Sequence, residues 1–152
     1  MILTQILQPE CLKVPLESKN KENAIAELVN LLDENGLLLN KDTAMDAVLK
    51  REKTRSTGIG SGIAIPHGKC DAVKELAMAI GLAKDTIDFQ SVDGKPVKII
   101  ILLVSPDNQT GPHIQALAKI SQLMLDNEFK EKLENAKSAE DAYEMFRKKE
   151  ND

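Results

Sequence analysis

The sequence predicts an α+β fold in which a mixed central β-sheet is covered by helices on both sides. Three observations carry this. Apolar residues recur at helical spacing in the first and last thirds of the chain. Between residues 63 and 104 they fall instead into short strand-like runs. The order, strand, two helices, three strands, three helices, lacks the regular alternation of a doubly wound fold.

A weak strand falls near residues 12–16. The first helix spans about 20–34, because Ile25, Leu28, Val29 and Leu32 follow the spacing of one buried face. Ser18 or Asn20 can cap its start, and Asn35-Gly36 suits its end. A second helix, about 41–53, is opened by Asn40 or Asp42 and carries a stripe of Ala44, Met45, Ala47, Val48 and Leu49. Arg51 falls on the shoulder of that stripe, where a fixed cation calls for an anion or carboxylate nearby.

Three strands follow. Ile63-Ala64-Ile65 is stopped by Pro66. Leu76 to Ala83 alternates large with small residues rather than apolar with polar ones, which predicts a strand buried on both faces with helices close against its small side. Val97 to Val104 is rich in Ile and Val, preceded by Asp93-Gly94 and ended by Ser105-Pro106. The rest is helical. Pro112 opens a helix lined by His113, Leu117, Ile120 and Met124. A short helix near 127–135 turns Phe129 and Leu133 inward, and Ser138 with Asp141 starts the last helix, packed by Ala142, Tyr143 and Phe146.

The 152 residues are 42% hydrophobic and 29% charged, which fits one domain over 1–152 with one core. Aromatics make up 3%, so the core must be aliphatic, and a base-stacking platform for single-stranded nucleic acid is disfavoured. The net charge of −4 argues against nucleic acid as a partner. No apolar run reaches the roughly 18 residues that cross a bilayer, so no direct membrane insertion is expected. The first residues lack the basic region and cleavage site of a secretory signal. Two cysteines, Cys11 and Cys70, cannot build a disulfide framework, so a cytoplasmic protein with reduced thiols is expected.

Chemistry concentrates in residues 50–70. Four of the eight glycines (Gly58, Gly60, Gly62 and Gly68) stand there, preceded by Lys50, Arg51, Lys53 and Arg55. Glycines beside fixed cations suit a phosphate. No Gly-Lys-Ser/Thr ending makes a P-loop, and the glycines lead into a strand and a proline rather than a helix, so a nucleotide-binding enzyme is disfavoured. On the glycines alone, a flexible surface turn is the simpler reading.

His67 adds a nucleophile. Pro66 fixes the backbone before it, and Gly68 after it leaves one ring face unobstructed. A neutral imidazole can attack through one nitrogen while the other donates to an anchor. A solvated loop histidine is the plain alternative. His113 lies in the first turn of its helix, where the dipole and backbone N–H groups favour anions. It could equally be a half-buried histidine capping the core. A metal site of His67, Cys70, His113 and Cys11 is permitted by the His-x-x-Cys spacing, but the ligand pattern is sparse and no metal is expected.

Arg51-Glu52, followed by Ser56-Thr57-Gly58-Ile59-Gly60-Ser61-Gly62-Ile63-Ala64-Ile65-Pro66-His67-Gly68, closely resembles the signature of IIA domains of the bacterial sugar phosphotransferase system, fructose/mannitol type, which include a nitrogen-regulatory branch. The resemblance covers nearly the whole chain, including the Leu-x-Pro-Glu-Cys opening at 7–11 and the helix holding His113. Members often carry Asn where this chain has Ser61. The resemblance implies a three-layer α/β/α sandwich. It also implies a phosphotransferase component with a phosphohistidine intermediate and no cofactor. The histidine matching His67 would accept a phosphoryl group from a histidine phosphocarrier protein. It would pass the group to a IIB partner for sugar uptake, or hold it as a signal to a regulatory target protein. Arg51 would clamp the phosphoryl oxygens, His113 would donate a hydrogen bond, and Gly60 and Gly62 would let partner surfaces approach.

Overall fold

The structure, a computed structural model, describes residues 1–151. After a 3-10 turn at Leu3–Gln5 come β1 (Leu7–Leu16), α1 (Lys21–Glu34) and α2 (Lys41–Thr54). The strands β2 (Gly58–Gly60), β3 (Ile63–Ala64), β4 (His67–Cys70), β5 (Ala77–Ile87) and β6 (Val97–Pro106) follow. The chain ends in α3 (Thr110–Leu123), α4 (Asn127–Glu134) and α5 (Ala139–Asn151). Helix starts fall where short polar side chains can satisfy the first free N–H groups. Asn20 accepts from the Asn23 N–H at 2.9 Å, and Asn40 from the Thr43 N–H at 3.0 Å. Ser138 accepts from the Asp141 N–H at 3.1 Å.

The sheet is six-stranded and mixed, in the order β1-β5-β6-β3-β2, with β4 also paired to β6. β1 runs parallel to β5, β5 antiparallel to β6, and β3 and β4 both parallel to β6. Residues 77–83 and 99–106 are buried without interruption, so both faces of β5 and β6 are covered. α1 packs on α2, β1, β5 and β6, and α2 on β4; α5 packs on β1 and α4, and α3 on β6. The result is a three-layer α/β/α sandwich whose aliphatic core is centred on β5 and β6.

The element order matches the expectation, with two short strands more. The glycine-rich segment is a β2–β3 hairpin rather than a loose turn. Gly60, Ser61 and Gly62 take φ of 100°, 57° and 81°. These left-handed values are ones that glycine adopts at no steric cost. Ser61 stands where Asn is the better-adapted non-glycine residue. β1 is a full ten-residue strand, longer than its sequence pattern indicated. At Gly81 the space is filled by a strand neighbour rather than a helix: an added Cβ would lie 2.6 Å from a methyl of Leu16.

Candidate functional site

The site begins where β3 gives way to β4. Both pair with β6, and Pro66, which has no N–H to donate, interrupts the run between them. The interruption turns the Ile65 carbonyl toward the ring of His67, which is half-buried. Nδ1 of His67 lies 2.7 Å from that carbonyl oxygen. A carbonyl only accepts, so Nδ1 carries the proton and donates it. The neutral ring therefore keeps its lone pair on Nε2. That atom has no protein partner among the described residues and is not buried, so it is open to the cleft. Burial holds the His67 pKa below the usual histidine range, and the Arg51 charge pushes the same way; the Ile65 hydrogen bond and Glu52 oppose them.

His113 reaches the same place from α3. The ring centroids of His67 and His113 are 5.4 Å apart, with their planes inclined at 58°. His113 is only 6% exposed. Its Nδ1 lies 2.7 Å from Oγ of Ser105 in β6. Burial first, then the charges of His67 and Lys69, hold its pKa down to about 4. At neutral pH both rings are uncharged.

Arg51 lies in the last turn of α2 and lines the same cleft, of about 670 Å³, as both histidines. Of the anion or carboxylate expected beside it, no carboxylate is in place: among the described residues Arg51 forms no ion pair. Its Nη1 donates to the carbonyl of Arg55 at 2.8 Å, which holds the guanidinium while leaving its charge uncompensated. Gly68 has a different role from the one expected. A Cβ there would lie 3.1 Å from backbone atoms of Ala47 and Val48, so Gly68 lets α2 lie directly on β4. That contact brings the end of α2, and Arg51 with it, beside His67.

Sequence reasoning missed a buried network behind the site. Glu52, 7% exposed, pairs with Lys21 at 3.0 Å. It also accepts from the N–H of Thr57 at 2.8 Å and from its hydroxyl at 2.5 Å. The Thr57 carbonyl accepts from the Ile65 N–H at 3.0 Å, and Ile65 in turn anchors His67. A chain of polar contacts thus runs from a buried ion pair to the imidazole. Lys21 also donates to Gln90 at 2.9 Å. Glu52 continues the Ala44/Val48 stripe, four residues on from Val48, so its spacing was a signal of burial; its charge is what made it read as a surface residue. Lys21, arriving from α1, and the two Thr57 donors together offset the cost of burying that charge.

The alternative metal set does not assemble. Among the described residues no three His, Cys, Asp or Glu side chains are placed to hold an ion. Cys11 and Cys70 are buried. Burial, then Glu10, pushes the Cys11 thiol up to about 11, and burial raises that of Cys70, so both are protonated thiols at neutral pH.

A lone-pair nitrogen, a neutral ring beside it and an uncompensated guanidinium together suit a small anion that reacts with a nucleophile. The family described as phosphoenolpyruvate-dependent sugar phosphotransferase system, EIIA 2, matches residues 5–149. The chain is 39% identical over 142 residues to a fructose-specific EIIABC component of this system from Bacillus subtilis; the match takes in 93% of the chain but 22% of that relative. The crystal structure of nitrogen regulatory protein IIA-Ntr from Neisseria meningitidis superposes with a TM-score of 0.87 at 31% identity, covering 95% of this chain and 98% of that one. The complex of enzyme IIA-mannitol with phosphorylated enzyme IIB-mannitol from Escherichia coli shares the fold, with a TM-score of 0.80 at 21% identity, covering 93% and 99%.

Proposed function

The chain belongs to the EIIA 2 family of the phosphoenolpyruvate-dependent sugar phosphotransferase system, and on that premise we propose that it is a phosphoryl carrier whose acceptor is Nε2 of His67. The observation that carries this is the 2.7 Å bond from Nδ1 to the Ile65 carbonyl, because it leaves Nε2 as the nucleophile. In the transfer, the Nε2 lone pair forms a bond to phosphorus while the phosphorus–nitrogen bond of a phosphorylated histidine phosphocarrier protein breaks. The electron pair returns to the donor's nitrogen. Arg51 holds the phosphoryl oxygens and His113 donates to one of them, so the protein's contribution is positioning and charge stabilisation.

A IIB domain is the proposed acceptor, for sugar uptake. The mannitol complex supports it by fold. So does the rim of the cleft, where exposed Ile59, Val92 and Ile114 stand among Lys50, Arg55 and Lys69, a mixture fit for a protein surface bearing carboxylates. Among the described residues no helix is long and apolar enough to cross a membrane, and we place this unit, residues 1–152, in the cytoplasm. The likeness to IIA-Ntr over 98% of that protein favours a second reading, a regulatory phosphoprotein that signals by contact and transports no sugar.

Incubation with the phosphorylated phosphocarrier protein should add one acid-labile phosphoryl group, visible by intact mass. His67→Ala should take up none, and a label surviving in that variant refutes the assignment. Arg51→Ala and His113→Ala should fold normally and accept the group more slowly, by about tenfold or more. Onward transfer to candidate IIB domains separates the two readings.

A further inference from the structure

We propose that Ser105 is a positioning residue for phosphoryl transfer: it donates its hydroxyl proton to Nδ1 of His113 and so holds that ring with its own N–H at Nε2. The inference rests on the phosphoryl-carrier reading and adds a residue to it.

Ser105 is wholly buried in β6, where it pairs with Lys69 of β4. Its Oγ lies 2.7 Å from Nδ1 of His113 and has no other hydrogen-bond partner among the described residues. Two arrangements are conceivable. If Nδ1 carried the ring proton, Ser105 would accept it, and the hydroxyl proton would be left in the interior without an acceptor. A buried donor left without an acceptor carries its full desolvation penalty. If Ser105 donates, both groups are satisfied. Because burial holds the His113 pKa down to about 4, the ring has a single proton at neutral pH, and the bond from Ser105 leaves Nε2 as its place.

His67 is set the opposite way. Its Nδ1–H is spent on Ile65, so its Nε2 is a lone pair. The two rings, 5.4 Å apart, therefore offer unlike nitrogens at one cleft. One attacks phosphorus. The other donates to a phosphoryl oxygen without giving up its proton. With His113 in the other tautomer, a lone pair would face the phosphoryl oxygens and repel them. Buried hydrogen bonds to main chain and side chain thus assign the two roles before any phosphoryl group arrives.

The test reads the tautomer and the reaction separately. Nitrogen-15 NMR of the free wild-type chain should show His113 protonated at Nε2. In Ser105→Ala that signature should give way to mixed or Nδ1 protonation, and Ser105→Thr, which keeps the hydroxyl, should restore it. Phosphoryl acceptance from the phosphocarrier protein should slow about tenfold in Ser105→Ala at unchanged half-saturation, and recover with Thr. A wild-type His113 protonated at Nδ1 overturns the proposal. So does a Ser105→Ala chain with unaltered tautomer or unaltered rate. Failure of wild-type His67 to take any label removes the carrier reading, and the role of Ser105 with it. A labelled wild type beside an indifferent Ser105→Ala removes the role of Ser105 alone.

Discussion

At the scale of the residue, the reactivity proposed for His67 depends on staying neutral with its proton on the inner nitrogen. Burial and the neighbouring Arg51 charge both disfavour the imidazolium, and burial is the larger. Phosphoryl acceptance should therefore stay level from pH 8 down past the ordinary histidine pKa near 6.5, and decline only below it. Removing the Arg51 charge relaxes part of that constraint. A pH–rate profile of Arg51→Ala should show the decline moved to higher pH, on top of a lower plateau; a decline moved to lower pH would contradict the electrostatic account. His67, Arg51 and His113 were legible from the sequence because glycines, cations and a Pro-His-Gly corner coincide in a short stretch, with a second histidine in a helix's first turn. The anchors Ile65 and Ser105 were not. One acts through a carbonyl that every residue possesses. The other is a strand-end serine, whose sequence context reads only as the end of an apolar run.

At the scale of the element, the site depends on α2 meeting β4 through Gly68. The gap there is 3.1 Å to helix backbone, which cannot rotate away as a side chain can. Gly68→Ala should push α2 outward by a few tenths of an ångström and carry Arg51 away from His67. The expected result is a loss of about 1–3 kcal/mol by denaturant unfolding, as for other overpacked contacts, and slower phosphoryl acceptance. Wild-type rate and stability in that variant would show that the contact is slack. The helices themselves were readable, since Ile25, Leu28, Val29 and Leu32 are all buried and Asn20 and Asn40 cap as their sequence positions allow. The short strands β2 and β4 were less so. Strands of three and four residues are too brief to set up an alternation, and they exist because β3 and β6 offer them partners.

At the scale of the whole molecule, folding buries His113 and half-buries His67, both neutral, and that couples stability to pH. In the unfolded chain a histidine takes up its proton near pH 6.5; folded His113 takes none until about pH 4. Between those values the unfolded state binds more protons, so stability is level above about pH 6.5 and falls as the pH drops toward 4. The loss from His113 is on the order of 3 kcal/mol, and lowered His67 contributes with the same sign. Denaturant midpoints measured from pH 8 to 4 should trace that fall, and His113→Gln should lose most of it. By itself, the sequence determined the helical faces, the doubly buried strands and the segment where phosphate chemistry would lie, because periodicity and glycine placement report burial and backbone freedom locally. Only the tertiary structure decided which nitrogen of each ring is free, that Glu52 is buried against Lys21, and that the Arg51 charge faces the cleft unpaired. Those outcomes turn on separations of about 3 Å between groups on different elements, and such distances exist only after the core has drawn the elements together.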